Sequence, residues 1–117
     1  MSRVSLPARR ATISMLVAHR AANGDSQRYE VSFGMHEGRV MECFANGNKA
    51  GSDMQAILTD ACIAISVLLQ RGAKASDLAG MFGENRAEGE TNGPPASPLG
   101  AIARAAAEID GGLNGKI

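Results

Sequence analysis

The stretch that most constrains this chain is Ser52–Gly72. Ser52 can cap the free backbone N–H groups of a helix that starts at Asp53, and Gln55 three residues later completes a capping box. The helix is expected to run to about Gln70, with Gly72 suited to the left-handed stop that ends it. At about 100° per residue, Gln55, Thr59, Ser66 and Gln70 fall on one narrow stripe. Ile57, Leu58, Ala61, Ala64, Ile65 and Leu68 occupy the opposite side, flanked by Ile63 and Val67. A helix apolar round most of its circumference is expected to be buried round most of it, across one face of a sheet and against something on its other side.

The sheet is legible upstream. Residues 11–19 hold Ile13, Met15, Leu16 and Val17 and read as a strand with imperfect alternation. Ala21–Gln27, centred on Asn23-Gly24, reads as a turn. Tyr29, Val31, Phe33 and Met35 alternate with Glu30, Ser32 and Gly34, which is the period of a half-buried strand. After the tight His36-Glu37-Gly38 connection, Val40, Cys43 and Phe44 continue as a hairpin partner, with Glu42 expected to point outward.

Two shorter helices are expected after the long one. Ser76 caps the first, which carries Leu78, Met81 and Phe82 and ends at Gly83. Ser97-Pro98 opens the second, lined by Leu99, Ile102, Ala103, Ala106 and Ile109 and stopped by Asp110-Gly111-Gly112. Residues 84–96 between them are polar, with Gly89, Gly93 and Pro94-Pro95, a long loop for so small a domain. The expected fold is therefore α+β: an antiparallel three-stranded meander packed against one long buried helix, plus two shorter C-terminal helices. A flexible arginine-containing segment, 1–10, precedes a single domain, 11–110, and a frayed tail, 111–117.

The 117 residues suffice for one domain, and 44% hydrophobic residues suffice for its core. Twelve Lys+Arg balance twelve Asp+Glu, which excludes a globally basic nucleic-acid binder. Four aromatic residues are too few for a base-stacking surface. The neutral total hides an asymmetry: Arg3, Arg9, Arg10 and Arg20 make residues 1–24 cationic, whereas residues 77–110 carry six acids against Arg86 and Arg104. Two cysteines, Cys43 and Cys62, form no C-x-x-C pair, and both read as small core residues of a reduced, cytoplasmic protein. No signal peptide or membrane span is read near the N-terminus, and the chain is taken as complete.

The order of features resembles a known family. Leu6-Pro7 with Arg9-Arg10 leads into the first strand. Glu37–Phe44 resembles a "dGrlgEiF" hairpin, and Ile63–Gly72 resembles "aiaiSlgLqyG" after Lys49-Ala50-Gly51. Phe82 begins a block ending in Arg86-Ala87-Glu88-Gly89 that is similar to "FtrFEPaG", and Ser97-Pro98-Leu99 is similar to "SPxSl". Over residues 6–109 the chain resembles the TSCPD domain, the module near the C-terminus of cobalamin-dependent (class II) ribonucleotide reductases. The Thr-Ser-Cys-Pro-Asp motif itself is absent, and Ala87-Glu88-Gly89 stands where the family has Phe-Glu-Pro. The reductase's barrel, radical cysteine, cobalamin site and redox cysteine pair do not fit in 117 residues. The resemblance thus implies a link to deoxynucleotide metabolism without the reductase reaction.

Candidate site residues follow from chemistry. Lys49, Gly51 and Ser52 at the start of the long helix could hold a phosphate or carboxylate through free N–H groups, the helix dipole and an ammonium, with ordinary capping as the alternative. Asp60, amid Ala56, Ile63 and Val67, is a candidate buried acid that would need a cationic mate such as an N-terminal arginine, with an exposed edge position as the alternative and a catalytic role disfavoured. Arg9, Arg10 and Arg86 are interaction candidates, for phosphate, nucleic acid or an acidic partner, or else paired within the chain. His19 and His36 end two strands and could approach each other, but without a spaced third ligand no metal is assigned. No nucleophile–base–acid set is visible, so no catalytic residue and no cofactor are assigned. The leading expectation is a stand-alone, non-catalytic accessory or regulatory module that binds a nucleotide or docks on a reductase or other protein. A small nucleic-acid-binding protein using the N-terminal arginines is the alternative, and an independent enzyme ranks last. The sheet and helix leave apolar surface to cover, so self-association as a symmetric dimer is expected.

Overall fold

The computed structural model describes Arg3, Leu6, Pro7 and residues 10–114. Three strands come first, β1 (Thr12–Arg20), β2 (Ser26–His36) and β3 (Arg39–Asn46), then three helices, α1 (Asp53–Gln70), α2 (Ala75–Met81) and α3 (Pro98–Asn114). The strands form one antiparallel sheet in the order β1-β2-β3, so the expected meander and α+β class are present.

The turns explain the connections. Gly24 takes a φ of 96°, and its N–H donates to the Ala21 carbonyl at 2.9 Å, closing the first turn. Glu37 and Gly38 both have positive φ (52° and 77°), the pair a two-residue hairpin needs to match strand twist. The register slips between Gly34 and Met35, where Met35 faces Val40 but Gly34 faces Glu42. Met41 is therefore the extra residue of a β-bulge, and it resets the alternation of β3. Val40, Cys43 and Ala45 all lie on the buried side as a result. Glu42 and Phe44, two residues apart beyond the bulge, share the outer face: the bulge takes Phe44 out of the Val40 alternation and leaves it 54% exposed, whereas Glu42 lies on the outer side as expected but is buried there beneath Arg10.

α1 packs against β3 as expected, but through a different side. Ser52 Oγ accepts from the Gln55 N–H at 3.2 Å, so half of the capping box is formed. The reciprocal half is not: the Ser52 N–H donates to the Lys49 carbonyl, and the Gln55 amide turns to β3 and its following loop. Gln55 Nε2 donates to the Ala45 carbonyl (3.0 Å), and Gln70 Nε2 donates to the Met41 carbonyl (3.1 Å). The Cys43 N–H donates to Ser66 Oγ (3.0 Å). The polar stripe of α1 thus satisfies the outward-facing backbone groups of an edge strand. Leu58, Cys62, Ile65 and Leu69, beside the stripe, enter the core. The opposite, apolar arc stays outside, with Ile57, Ile63 and Leu68 between 45% and 62% exposed. By length and composition α1 could cross a membrane, with a mean hydropathy of 1.3, and its stripe is nonetheless bonded to β3. Gly72, at φ 109°, ends it in a Schellman arrangement, with the Ala73 N–H on the Leu68 carbonyl and the Gly72 N–H on Leu69.

α2 starts at Ala75 without a side-chain cap, so Ser76, the expected cap, lies inside the helix. Ser97 does cap α3, accepting from the Gly100 N–H at 3.1 Å. α3 then runs through Gly111-Gly112, the expected stop, to Asn114 and is nearly as long as α1. Neither glycine takes the positive φ that would end the helix, and Asp110 instead accepts from the Val40 N–H at 2.8 Å. The core where sheet and helices meet contains Phe33, Val31, Val40, Leu69 and Ile102, each no more than 1% exposed. Burying side chains of this kind contributes about 1.5–3 kcal/mol apiece.

Candidate functional site

The start of α1 borders a shallow cleft of about 330 Å³ lined by Gly51, Ser52, Asp53, Gln55, Ala56, Thr59 and Asp60. Of the three anion-site candidates, Gly51 and Ser52 reach it and Lys49 does not. The Ser52 hydroxyl is engaged in capping, and two carboxylates, Asp53 and Asp60, share the cleft. Their negative charge opposes a phosphate there, offsetting the helix dipole. Asp60 is exposed rather than buried, because it lies on the side of α1 away from β3, and the described N-terminal arginines, Arg3 and Arg10, bond elsewhere.

The described arginines of the N-terminal segment are bonded within the fold. Arg10 Nε donates to Glu42 Oε1 and its NH1 to the Pro7 carbonyl, while Arg3 donates to Gln70 Oε1. The Glu42 carboxylate lies over Gly34, where a methyl group would overlap it. A buried acid is thus present, but it is Glu42 with Arg10 as its mate. Arg9 lies outside the described residues.

Arg86 belongs to a second cluster. Its Nε donates to Glu84 Oε1 at 3.1 Å, and Arg104 NH2 donates to Glu84 Oε2 at 2.6 Å and to the Gly93 carbonyl at 2.7 Å. The hydrogen bond from Arg86, reinforced by the charge of both guanidinium groups, holds the Glu84 carboxyl below its ordinary value. The loop of residues 84–96 is drawn closed at its base, with the Asn85 N–H on the Pro94 carbonyl (2.8 Å) and the Ala96 N–H on Gly83 (2.9 Å). Arg104 fastens it to α3. Nothing in the composition of this stretch, which reads as a long polar loop, signals the clamp.

His19 and His36 lie at opposite ends of the sheet: His19 faces Gln27, whereas His36 faces Arg39 across the hairpin. At about 3.4 Å per residue the intervening length of β2 puts them roughly 30 Å apart. Among the described residues no three His, Cys, Asp or Glu side chains group closely enough to hold a metal. The two cysteines do meet. Cys43 Sγ lies 3.9 Å from the Cys62 carbonyl, and both residues are buried. Contact with Cys62, then burial, pushes the Cys43 thiol well above its ordinary value. That pairing depends on the register of α1 along β3, which no sequence spacing announces.

A three-stranded meander whose outer strand is sealed by the polar stripe of a long helix defines a small α+β domain, with its distinctive residues spent on architecture. The chain belongs to the TSCPD domain family, whose model matches residues 5–109, nearly its whole length. This is a ribonucleotide-reductase-associated domain. No curated protein and no solved structure gave a significant match.

Proposed function

We propose that this chain is an accessory module of deoxynucleotide metabolism that works in the cytoplasm by docking on a ribonucleotide reductase polypeptide rather than by catalysing a reaction. The observation that carries this reading is the family match across residues 5–109. The geometry favours docking over nucleotide binding. The cleft at the start of α1 holds two carboxylates and leaves out Lys49, and the described N-terminal arginines are occupied by Glu42 and Gln70.

The test is titration of the labelled full chain with a purified cobalamin-dependent reductase, followed by fluorescence anisotropy. A thermal-shift series with nucleoside di- and triphosphates runs beside it. Saturable binding to the reductase with no nucleotide shift is the expected result. Stabilisation by a nucleotide that Lys49→Ala abolishes would replace docking with nucleotide binding. Silence in both assays would overturn the reading. A salt-sensitive gel shift with DNA or RNA, lost in Arg9→Ala, would favour the nucleic-acid alternative.

A further inference from the structure

We infer that the outward arc of α1 is the surface on which two copies of this chain associate, helix against helix and antiparallel about a twofold axis at Ala61. The polar stripe of α1 is held by β3, which fixes what the helix shows to the outside. Met54, Ile57, Ala61, Ala64 and Leu68 follow one another at alternating spacings of three and four residues. That is the seam by which two helices pack along their length. Met54 is 57%, Ile57 62% and Leu68 45% exposed, an apolar line that runs beside the core residues Leu58 and Ile65 of the same helix. Small Ala61 and Ala64 at its middle let two backbones come close.

Charge selects the occupant and its direction. Asp53 and Arg71 stand at the two ends of the helix, about five turns apart and hence on the same side at 3.6 residues per turn. Both are exposed. In an antiparallel pair related by the twofold axis, Asp53 of each copy meets Arg71 of the other, and Met54 of each meets Leu68 of the other. A parallel pair would instead leave each Asp53 about five turns from either Arg71, with no such pairing. The self-complementarity is that of an isologous interface, in which one patch serves both partners. Asp60 lies near the axis on the same flank as Asp53, so the two Asp60 carboxylates come together at the rim, an exposed like-charge contact that salt screens.

The experiment is sedimentation equilibrium of the full chain over a range of concentrations, expected to give twice the 12.1 kDa chain mass at high concentration. Ile57→Asp and Leu68→Asp each replace an exposed side chain, so helix content by circular dichroism is expected to stay and the dimerisation constant to weaken at least ~tenfold, about 1.4 kcal/mol. Arg71→Asp alone weakens association, and Asp53→Arg with Arg71→Asp restores it, a rescue that nonspecific stickiness would not give. Ala61→Cys with oxidised glutathione as the disulfide donor gives a covalent dimer. Each new intermolecular S–S bond takes two thiols, and the glutathione disulfide is reduced to two molecules of glutathione. A monomer at every concentration overturns the inference. So does a dimer indifferent to Ile57→Asp, which would place the contact on another surface. So does a monomer that sediments with phosphatidylcholine–phosphatidylglycerol vesicles, which would make the seam a lipid surface.

Discussion

Ser66 and Cys43 meet across the boundary between helix and sheet. The Cys43 N–H donates to Ser66 Oγ at 3.0 Å, and the same hydroxyl donates to the Cys62 carbonyl one helical turn back, at 2.8 Å. A helix side chain here does what a neighbouring strand would do, and both residues are buried where no water can substitute.

Ser66→Ala would leave the Cys43 N–H buried and without a partner. The expected cost is about 1–3 kcal/mol, the penalty of an orphaned buried donor rather than of one ordinary hydrogen bond. Urea denaturation of wild type and variant reads it as a lower midpoint at constant m-value. An unchanged midpoint would mean the edge of β3 finds another partner.

Gly34 and Glu42 are predicted to behave as one unit. Gly34→Ala puts a methyl where the carboxylate lies and forces Glu42 away from Arg10, at an expected cost of about 1–3 kcal/mol. In a Glu42→Ala background the same glycine change should cost less than about 1 kcal/mol, so the two effects are strongly non-additive. A double-mutant cycle by chemical denaturation measures the coupling. Simple additivity would sink the idea that the glycine makes room for the acid.

Both cysteines should resist thiol reagents until the protein unfolds. Cys43 is 2% and Cys62 1% exposed, and the Cys43 thiol is held protonated by its contact with Cys62 and by burial. With Ellman's reagent near neutral pH, the expected outcome is negligible release from native protein and two equivalents per chain in denaturant. Rapid reaction of either thiol under native conditions would contradict the packing of α1 on β3.

Glu84 supplies a pH signature. Its folded-state value is lowered by the Arg86 hydrogen bond and by the charges of Arg86 and Arg104, relative to an unfolded value of about 4.3. A carboxylate with a depressed folded value stabilises the fold above the unfolded value, and that contribution disappears as pH falls through the folded one. Glu84→Gln should therefore melt below wild type at pH 7, with the difference shrinking as pH drops through 4 and below. A difference that stays constant over this range would show that packing, not charge, holds the loop.

Much of the architecture was legible in the sequence. The alternation of Tyr29, Val31, Phe33 and Met35 located the central strand, and Gly72 located the end of α1. The misses have separate physical causes. Period-two counting holds only in unbroken register, so the bulge at Met41 turned Phe44 to the outer face beside Glu42, where only Glu42 is covered, by Arg10. A polar stripe facing water and one facing the bare edge of a strand have the same helical spacing, so Gln55, Ser66 and Gln70 gave no sign of where they would bond. Asp60, surrounded in sequence by apolar residues, looked buried because α1 was expected to be covered on both sides. Of the candidate groups, Arg10 and Arg86 proved to be paired with Glu42 and Glu84, partners distant enough or plain enough that spacing could not single them out.

The seal that α1 places over β3 has one more consequence. A strand whose outward amides and carbonyls are taken by glutamine and serine side chains cannot template another strand, so this sheet can grow in one direction only. Any added strand, from a misfolded neighbour or a swapped segment, must join at β1. Between Thr12 and Ala18 that strand has no charge and no proline to turn a newcomer away. The hazard of strand addition is therefore concentrated on a single run of seven residues, where one lysine would serve as a gatekeeper.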